Sequence, residues 1–389
     1  MYQFNLPTDT IFGAGTLNLL HRQTLPGKKA MIVISNGKST RVNGYLDRTQ
    51  QQLEKANVVY VVFDKVQPNP LKSSVEEGAA FARDNDCDFI VALGGGSVID
   101  AAKAMAMLAN EASHDLWDFI PSGTGKSLPR SGKALPVVAI TTTAGTGSEV
   151  DAAAVITNPQ THEKTGFGYF DMVPMLAIVD AELMLTVPPS YTAYQGFDAL
   201  FHSTEGYISN VANPVSEMFA LAAIENVSQN LAACVHNGND LAARERVALG
   251  NSLSGYQMMT ASTSSKHSLE HAMSAYHQEL PHGAGLIMLS LAYYTHFINA
   301  HACDDRFITM ARVMGMKDAD KPTDFLTVLA QLQKDCGVDN LKMSDYGIQP
   351  SEFMTLTKNA KSAMAELFRY DRIELSDADC VAIYEAAYK

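Results

Sequence analysis

Short apolar runs recur through the first half of the chain, and each ends in small or polar residues. They are rich in β-branched side chains and continuous rather than alternating, which is typical of strands buried on both faces of a sheet. The runs span residues 30–35, 58–63, 88–93, 136–141 and 176–180. We therefore predict five buried strands.

Helix-like patterns lie between these runs, for example at residues 45–56 and 98–109. Strand and helix alternate at a spacing of about 30 residues, which indicates βαβ units and a parallel sheet. A mixed α+β domain is the alternative interpretation. We expect residues 1–187 to form an α/β domain with a parallel sheet.

The pattern changes after Val187. β-Branched runs become rare, and Ala, Leu, Met and Glu recur at spacings of three and four, as in residues 217–235. This spacing predicts amphipathic helices. The sequence VPP at 187–189 is a plausible hinge, because prolines end one element before the next begins. We expect residues 188–389 to form an all-helical domain.

Composition narrows the function. The 389 residues suit two or three domains, and 29 basic against 42 acidic side chains give a net charge of −13, which argues against a nucleic-acid partner. No signal peptide or membrane-spanning run is predicted, so no membrane partner is expected. The five cysteines are dispersed and form no CxxC pair, which favours free thiols in a reducing, cytoplasmic environment.

Two loops rich in glycine and hydroxyl groups follow predicted strands. The sequence GGGS at 94–97 opens a helix, and glycines there let backbone N–H groups approach a pyrophosphate. A plain tight turn is the alternative. The second loop, TTTAGTGSE at 141–149, offers hydroxyls and amides for phosphate or ribose. Both loops are expected at the carboxyl edge of the sheet, where ligands of parallel sheets bind.

The helical half gathers histidines and an aspartate. Asp198 and His202 lie four residues apart, as do His267 and His271, so each pair shares a helix face. Two more histidines, His277 and His282, follow closely. Imidazole and carboxylate groups together suit Zn²⁺ or Fe²⁺. Spacing alone does not rank these histidines as ligands. The protease motif HExxH and the hydrolase elbow GxSxG are both absent.

Four stretches resemble, in order, signatures of the iron-containing (group III) alcohol dehydrogenases. They are GGGSVIDAAK, TTTAGTGSEV, GFDALFHSTEGY and HSLEHAMSAYHQELPHG. The similarity extends from FGAGTL near the N-terminus to the helical C-terminal region. It implies an α/β dinucleotide-binding domain, an all-helical metal-binding domain and an active site in the cleft between them.

The resemblance also implies roles for individual residues. The expected metal ligands are Asp198, His202, His267 and His282, and His271 corresponds to a non-ligand histidine of the active site. The expected pyrophosphate contacts are Gly95, Gly96 and Ser97, and the further cofactor contacts are Thr142, Thr143, Thr146 and Lys164. His277 is expected in the pocket wall or beside a ligand.

This sequence departs from the family pattern in three places. The stretch from His267 to His282 is one residue longer than in many members, and Glu270 and Ala272 replace a usual small residue and a usual proline. Ser35 stands where members that prefer NAD often carry an aspartate for the ribose 2′-OH. Without that carboxylate a 2′-phosphate is not repelled, and it could pair with Ser39, Lys38 or Arg41. NADP(H) is therefore favoured over NAD(H).

The implied reaction is hydride transfer between a nicotinamide and a small alcohol or aldehyde whose oxygen binds Fe²⁺ or Zn²⁺. His271 would relay a proton or orient a ligand. The alternative is a metal- and NAD-dependent lyase resembling dehydroquinate synthase, which would need more basic side chains than this half carries near its motifs. A cofactor-binding protein without catalysis is a third hypothesis. A homodimer is the expected assembly.

Overall fold

A computed structural model describes residues 4–389. The strands are β1 (Asp9–Phe12), β2 (Lys29–Ser35), β3 (Val59–Val66), β4 (Phe89–Gly94), β5 (Val137–Thr141), β6 (Ala153–Asn158), β7 (Glu163–Gly168) and β8 (Leu176–Val179). The helices of the same half are α1 (Ser39–Val42), α2 (Tyr45–Lys55), α3 (Lys72–Asp84) and α4 (Gly96–Leu108). All five predicted strands and both predicted helices are present.

Six strands form one parallel sheet in the order β1-β8-β5-β4-β2-β3. Alternate residues of β2 enter different cores: Met31 and Val33 pack on one side, and Ile32 and Ile34 on the other. This burial of both faces explains why the strands are apolar at consecutive positions. The predicted parallel α/β fold is confirmed. The sequence analysis missed β1, a four-residue strand at the sheet edge.

The sheet has a switch point between β2 and β4. From β2 the chain passes to β3 on one side, and β4 then pairs with β2 on the other side. Helices on opposite faces leave a crevice at such a point, outside the carboxyl ends of the strands. Ser35 ends β2, and Gly94 ends β4 at the start of the first glycine loop.

The sequence analysis also missed the antiparallel hairpin of β6 and β7. Its second strand, β7, mixes glycine with charged residues in the sequence EKTGFG, so it lacks the apolar pattern that marks the sheet strands. The hairpin packs on α4, and it also contacts α8 of the helical half. It therefore carries residues of the α/β half toward the helices.

The second half is helical throughout, in agreement with the prediction. Its helices are α5 (Pro189–Ile208), α6 (Pro214–His236), α7 (Leu241–Thr260), α8 (Ser265–Tyr276), α9 (His282–Asn299), α10 (Asp304–Val313), α11 (Thr323–Asp335), α12 (Phe353–Ala363), α13 (Ala365–Arg369) and α14 (Asp377–Ala387). The last strand ends at Val179 and α5 begins at Pro189. The domain boundary at 187/188 lies between them and stays a prediction.

A single large apolar core joins the helices of this half, with the aromatic side chains of Phe201, Tyr294, Phe307 and Phe325 at its centre. Among the described residues, α6 is the one helix long and apolar enough to cross a membrane by length and composition alone. It packs against α5 and α7, as core helices of globular proteins also do. Its composition therefore supports no membrane assignment.

Candidate active site

A cavity of about 1000 Å³ lies between the carboxyl edge of the sheet and the helical half. Most of the site residues predicted from the sequence line it: Ser35, Gly95, Gly96, Ser97, Thr143, Thr146, Lys164, Asp198, His202, His267, His271 and His282. Thr142 and Ser39 lie outside this lining. The cavity thus brings the glycine loops and the histidine cluster to one cleft.

The two glycine loops pack directly against each other. A Cβ atom on Gly95 would lie 2.7 Å from Thr143 Oγ1, and one on Gly96 would lie 2.2 Å from Thr146 Cγ2. Glycine is therefore required here by the neighbouring loop as well as by any ligand. Because α4 begins at Gly96, the unpaired N–H groups and positive dipole end of this helix face the cleft and suit a pyrophosphate.

A buried lysine of α4 holds the second loop in place. Lys103 Nζ donates to Ser148 O at 2.9 Å and to Asp151 Oδ1 at 2.9 Å. Asp100 of the same helix accepts hydrogen bonds from the Ser148 hydroxyl and from the backbone N–H of Val155. The sequence analysis did not single out Lys103 or Asp100, although charged residues in an otherwise apolar helix were a usable signal.

The end of β2 forms another wall of the cleft. Ser35 lines it, whereas Ser39 is exposed at the first position of α1. The Arg41 guanidinium pairs with Asp64 of β3 at 2.7 Å. The backbone N–H of Thr142 donates a hydrogen bond to Gly94 O at 3.0 Å. The predicted cofactor roles of Ser39 and Thr142 stay predictions.

Asp198 lies at the centre of the histidine cluster. Its Oδ1 atom is 3.4 Å from His267 Nε2, 3.5 Å from His282 Nε2 and 3.6 Å from His202 Nδ1. Asp198, His267 and His282 each offer one ligand atom within 4.8 Å of the others. His202 stacks on His267 with ring centroids 4.4 Å apart, and its buried Nδ1 has no hydrogen-bond partner among residues 4–389.

Three helices supply these side chains. The spacing of four places Asp198 and His202 on one face of α5, as predicted. His267 lies on α8, and His282 is the first residue of α9, after Pro281. The turn between α8 and α9 accommodates the long spacing of this sequence, so His282 still reaches Asp198.

Glu205 orients His267 from the side of the ring opposite Asp198. The sequence analysis did not identify this residue. Its Oε1 lies 2.8 Å from His267 Nδ1 and 3.2 Å from Lys266 Nζ, and all three side chains are buried. Carboxylates in this position commonly fix the tautomer of a metal-binding histidine. Helical spacing was the available signal, because Glu205 follows Asp198 by seven residues and His202 by three.

Lys164 and Glu270 approach the cluster from the other side. Lys164 Nζ donates to Ser274 Oγ at 2.8 Å and lies 3.6 Å from Glu270 Oε2, which also contacts His282 Nδ1. Lys164, predicted as a cofactor contact, is thus part of the network around the histidines. It gets there on β7 of the hairpin that the sequence analysis missed.

His271 and His277 lie in different surroundings. His271 lines the cleft, and its Nδ1 is 2.8 Å from Met364 Sδ. His277 caps the C-terminus of α8, outside the cleft lining, where its Nε2 lies 3.1 Å from Glu352 Oε1. His277 itself is not among the lining residues, although Gln278 and Glu279 directly after it are, so the expectation that it lies in the pocket wall or beside a ligand stays a prediction.

Burial and charge act in opposite directions on these groups. Burial disfavours the charged form of Asp198, yet His202 and His282 hold its pKa well below the ordinary value. Burial lowers the pKa of His202 to about 4. Burial also opposes a charged His267, but Glu205 and Asp198 raise its pKa to about 9. The field that favours a proton on His267 equally favours a metal cation there.

Two family models match the chain, one in each half. A model of the iron-containing alcohol dehydrogenases matches residues 7–181, and a model of the C-terminal region of the Fe-containing alcohol dehydrogenase family matches residues 192–388. The chain belongs to the iron-containing alcohol dehydrogenase family. The resemblance found in the sequence motifs is confirmed.

Individual relatives agree. A 1,3-propanediol dehydrogenase of Klebsiella pneumoniae is 32% identical over 368 residues, which cover 92% of each chain. An NADPH-dependent butanol dehydrogenase of Clostridium saccharobutylicum is 32% identical and matches 91% of this chain and 89% of its own. An archaeal halo-thermophilic alcohol dehydrogenase from a Red Sea brine pool superposes with a TM-score of 0.94 at 32% identity, covering 100% of this chain and 99% of its own.

This enzyme is therefore an NAD(P)-linked alcohol dehydrogenase whose substrate is a small alcohol or aldehyde, and its family implies a divalent metal. The lyase alternative is not favoured. Of the described residues that line the cavity, only Lys164 and Arg369 are lysine or arginine. A phosphorylated, carboxylated substrate would need more such partners.

Proposed function

We propose that the enzyme reduces small aldehydes or oxidises the matching alcohols with NADP(H), using a divalent metal held by Asp198, His202, His267 and His282. One observation carries this proposal: Asp198 Oδ1 lies within 3.6 Å of ring nitrogens from three histidines on three helices. Three imidazoles and one carboxylate suit either Fe²⁺ or Zn²⁺. The buried Nδ1 of His202, which has no partner in the part of the chain that the structure describes, fits the role of a metal ligand.

When bound, the metal supplies a Lewis acid for the substrate oxygen, and the nicotinamide carries the hydride. The other roles fall to residues of the chain. The start of α4 and the threonine loop at 141–149 bind the cofactor at the edge of the sheet. From there the cleft extends toward the histidine cluster. Enclosure of the cleft orients the reactants and limits access of water.

We assign proton handling to His271. It lines the cleft next to the proposed ligands, with its ring centroid 5.1 Å from that of His282. A group that orients a ligand would occupy a similar place. His271→Gln separates the two roles: a proton relay loses turnover and changes the pH profile while metal content stays constant. Loss of metal together with activity would favour the orienting role.

The preference for NADP(H) depends on Ser35. This side chain lines the cleft at the end of β2 and offers a hydroxyl where a carboxylate would repel a 2′-phosphate. Ser35→Asp should shift the ratio of kcat/KM values for NADPH and NADH toward NADH. Ser351→Asp adds the same charge at an exposed site far along the chain and serves as the matched control. An unchanged ratio in Ser35→Asp contradicts the assignment.

We also propose a cytoplasmic location and a homodimer, each of which is supported by one feature. All five cysteines are buried and free, which suits a reducing compartment such as the cytoplasm. Among the described strands, β1 pairs with β8 alone, so its outer edge is open to a second copy in a homodimer. Light scattering of the purified enzyme tests the dimer, and fractionation of cells that produce it tests the compartment.

The metal centre is tested by Asp198→Asn. The variant should lose bound metal and turnover together while its circular dichroism stays that of a folded protein. Asp345→Asn, an exposed change of the same kind, is the control. Metal analysis of protein purified without oxygen distinguishes iron from zinc. Full turnover of Asp198→Asn without bound metal would exclude the proposed site.

A further inference from the structure

Glu270 is a fully buried carboxylate at a position where the family resemblance leads one to expect a small residue. Its Oε2 contacts His282 Nδ1, and its Oε1 has no hydrogen-bond partner among the described residues. The backbone of α9 makes room for it: a Cβ on Gly285 would lie 2.7 Å from Glu270 Cγ. A buried charge of this kind is costly unless its partners compensate, and here the partners are His282 and Lys164.

His282 faces a choice between two tautomers. Its Nε2 points at Asp198 Oδ1, 3.5 Å away, and can bind a cation only if the ring proton lies on Nδ1. Lys164 Nζ lies 3.4 Å from that same Nδ1. An ammonium group only donates hydrogen bonds, so Lys164 alone would favour an unprotonated Nδ1 and a proton on Nε2. In that tautomer the Nε2 atom carries the proton and cannot bind a metal.

We propose that Glu270 is a positioning residue that accepts a hydrogen bond from the Nδ1–H group of His282 and so keeps Nε2 unprotonated and open toward Asp198, against the competing donor Lys164. The proposal rests on the metal centre proposed above. It gives Glu270 the role for His282 that Glu205 has for His267. A buried carboxylate would then fix the tautomer of each of these two histidines.

A second metal at Glu270 is the competing interpretation. Glu270, His271 and His282 also offer ligand atoms within 4.8 Å of one another. Three contacts disfavour this: His282 Nδ1 is already engaged by Glu270, His271 Nδ1 faces Met364 Sδ at 2.8 Å, and the Lys164 ammonium lies 3.6 Å from the carboxylate. A cation there would be repelled by Lys164.

The test measures Co²⁺ affinity by competition with a coloured chelator, together with the visible spectrum of bound Co²⁺. Glu270→Ala should weaken binding about 10–100-fold, the range typical of lost partners behind a ligand. Glu270→Gln should keep most of the affinity, because its amide oxygen still accepts from Nδ1. The double variant Lys164→Met with Glu270→Ala should recover much of the loss, because the competing donor is gone.

Each outcome decides a separate point. Glu279→Gln, an exposed glutamate at the cleft mouth, should bind Co²⁺ as the wild type does. If the wild type binds no divalent ion, the metal centre itself fails. If the wild type binds one ion and Glu270→Ala binds it equally well, only the role of Glu270 fails. The role also fails if the double variant is as weak as Glu270→Ala, or if the wild type binds two ions per chain.

If Glu270→Ala does not fold, the comparison of Glu270→Gln with Lys164→Met still decides. The first should bind Co²⁺ nearly as tightly as the wild type, and the second at least as tightly. A tenfold weaker affinity in Lys164→Met would mean that the ammonium supports the site rather than opposing it, which overturns the proposal.

Discussion

The two halves of this enzyme build their parts of the cleft from different material. In the α/β half, the start of α4 and the threonine loop offer a ligand backbone N–H groups, glycine Cα atoms and hydroxyls, and Lys164 of β7 adds a charged side chain beside the histidines. In the helical half the surface offered to a ligand consists of buried imidazoles and carboxylates around Asp198. Apart from Lys164, the first surface depends on the absence of side-chain atoms, and the second depends on their presence.

This difference predicts which kind of substitution should impair ligand binding in each half. A methyl group added to the glycine loop ought to damage cofactor binding and leave the metal in place. A side chain removed from the histidine cluster ought to do the reverse. Variants in one half that change binding in the other would show that the two sites are coupled rather than merely adjacent.

The largest effect is expected for His202→Ala. Loss of a direct ligand should weaken metal binding by more than about a hundredfold, beyond the range seen for partners behind a ligand, and abolish turnover. NADPH binding, measured by nicotinamide fluorescence, should stay within about twofold, because α4 and its loop are untouched. His114→Ala, an exposed histidine, is the control. A parallel loss of NADPH binding would break the proposed separation of the halves.

Gly96→Ala should have the next largest effect. Its new Cβ would lie 2.2 Å from Thr146 Cγ2, and overpacking of this kind costs about 1–3 kcal/mol. A cost near the middle of that range corresponds to a rise of about tenfold or more in the Kd for NADPH. Metal content should not change.

Thr146→Gly combined with Gly96→Ala removes the clashing methyl group. Because Thr146 is itself an expected cofactor contact, the double variant is compared with Thr146→Gly alone, and the two should bind NADPH equally well. If Gly96→Ala weakens binding as much in the Thr146→Gly background as in the wild type, the close contact of the two loops is not the reason for glycine at this position.

Met364→Ala should change selectivity rather than chemistry. Met364 lines the cleft beside His271, and its Cε lies 3.2 Å from where a Cβ on Gly166 would stand. Truncation opens space near the histidines, so kcat/KM for longer aldehydes should rise about tenfold relative to short ones, the scale of one or two methylene groups in an apolar pocket. Met354→Ala, an exposed change, should leave the chain-length profile as it is.

Asp371→Asn is expected to have the smallest effect on turnover, because it changes the pH dependence of the free energy of unfolding. Burial raises the pKa of Asp371 to about 7 from 3.8. Between those values the folded state binds the proton and the unfolded state does not, so the free energy of unfolding falls as pH rises from about 4 to 7. The variant lacks this titration, and its urea midpoint should fall less over that window. Equal slopes for both proteins would contradict the pKa.

Much of the fold was predictable because its signals are local. Each of the five predicted strands contains a run of at least four consecutive apolar residues, and the helical half repeats apolar residues every three or four positions. The hairpin of β6 and β7 was missed because its stability comes from packing on α4 and α8 rather than from its own pattern.

The sequence alone determined the family, the fold class, the glycine loops and the residues that gather around Asp198, because these depend on motifs and on helical spacing. Only the tertiary structure decided that His202 and His267 stack, that Thr143 and Thr146 require Gly95 and Gly96, and that Glu270 stands between Lys164 and His282. Most of these contacts join residues that lie far apart in the sequence, in one case more than a hundred positions, so no local pattern encodes them. They form only when the hairpin, the sheet and the helices pack together.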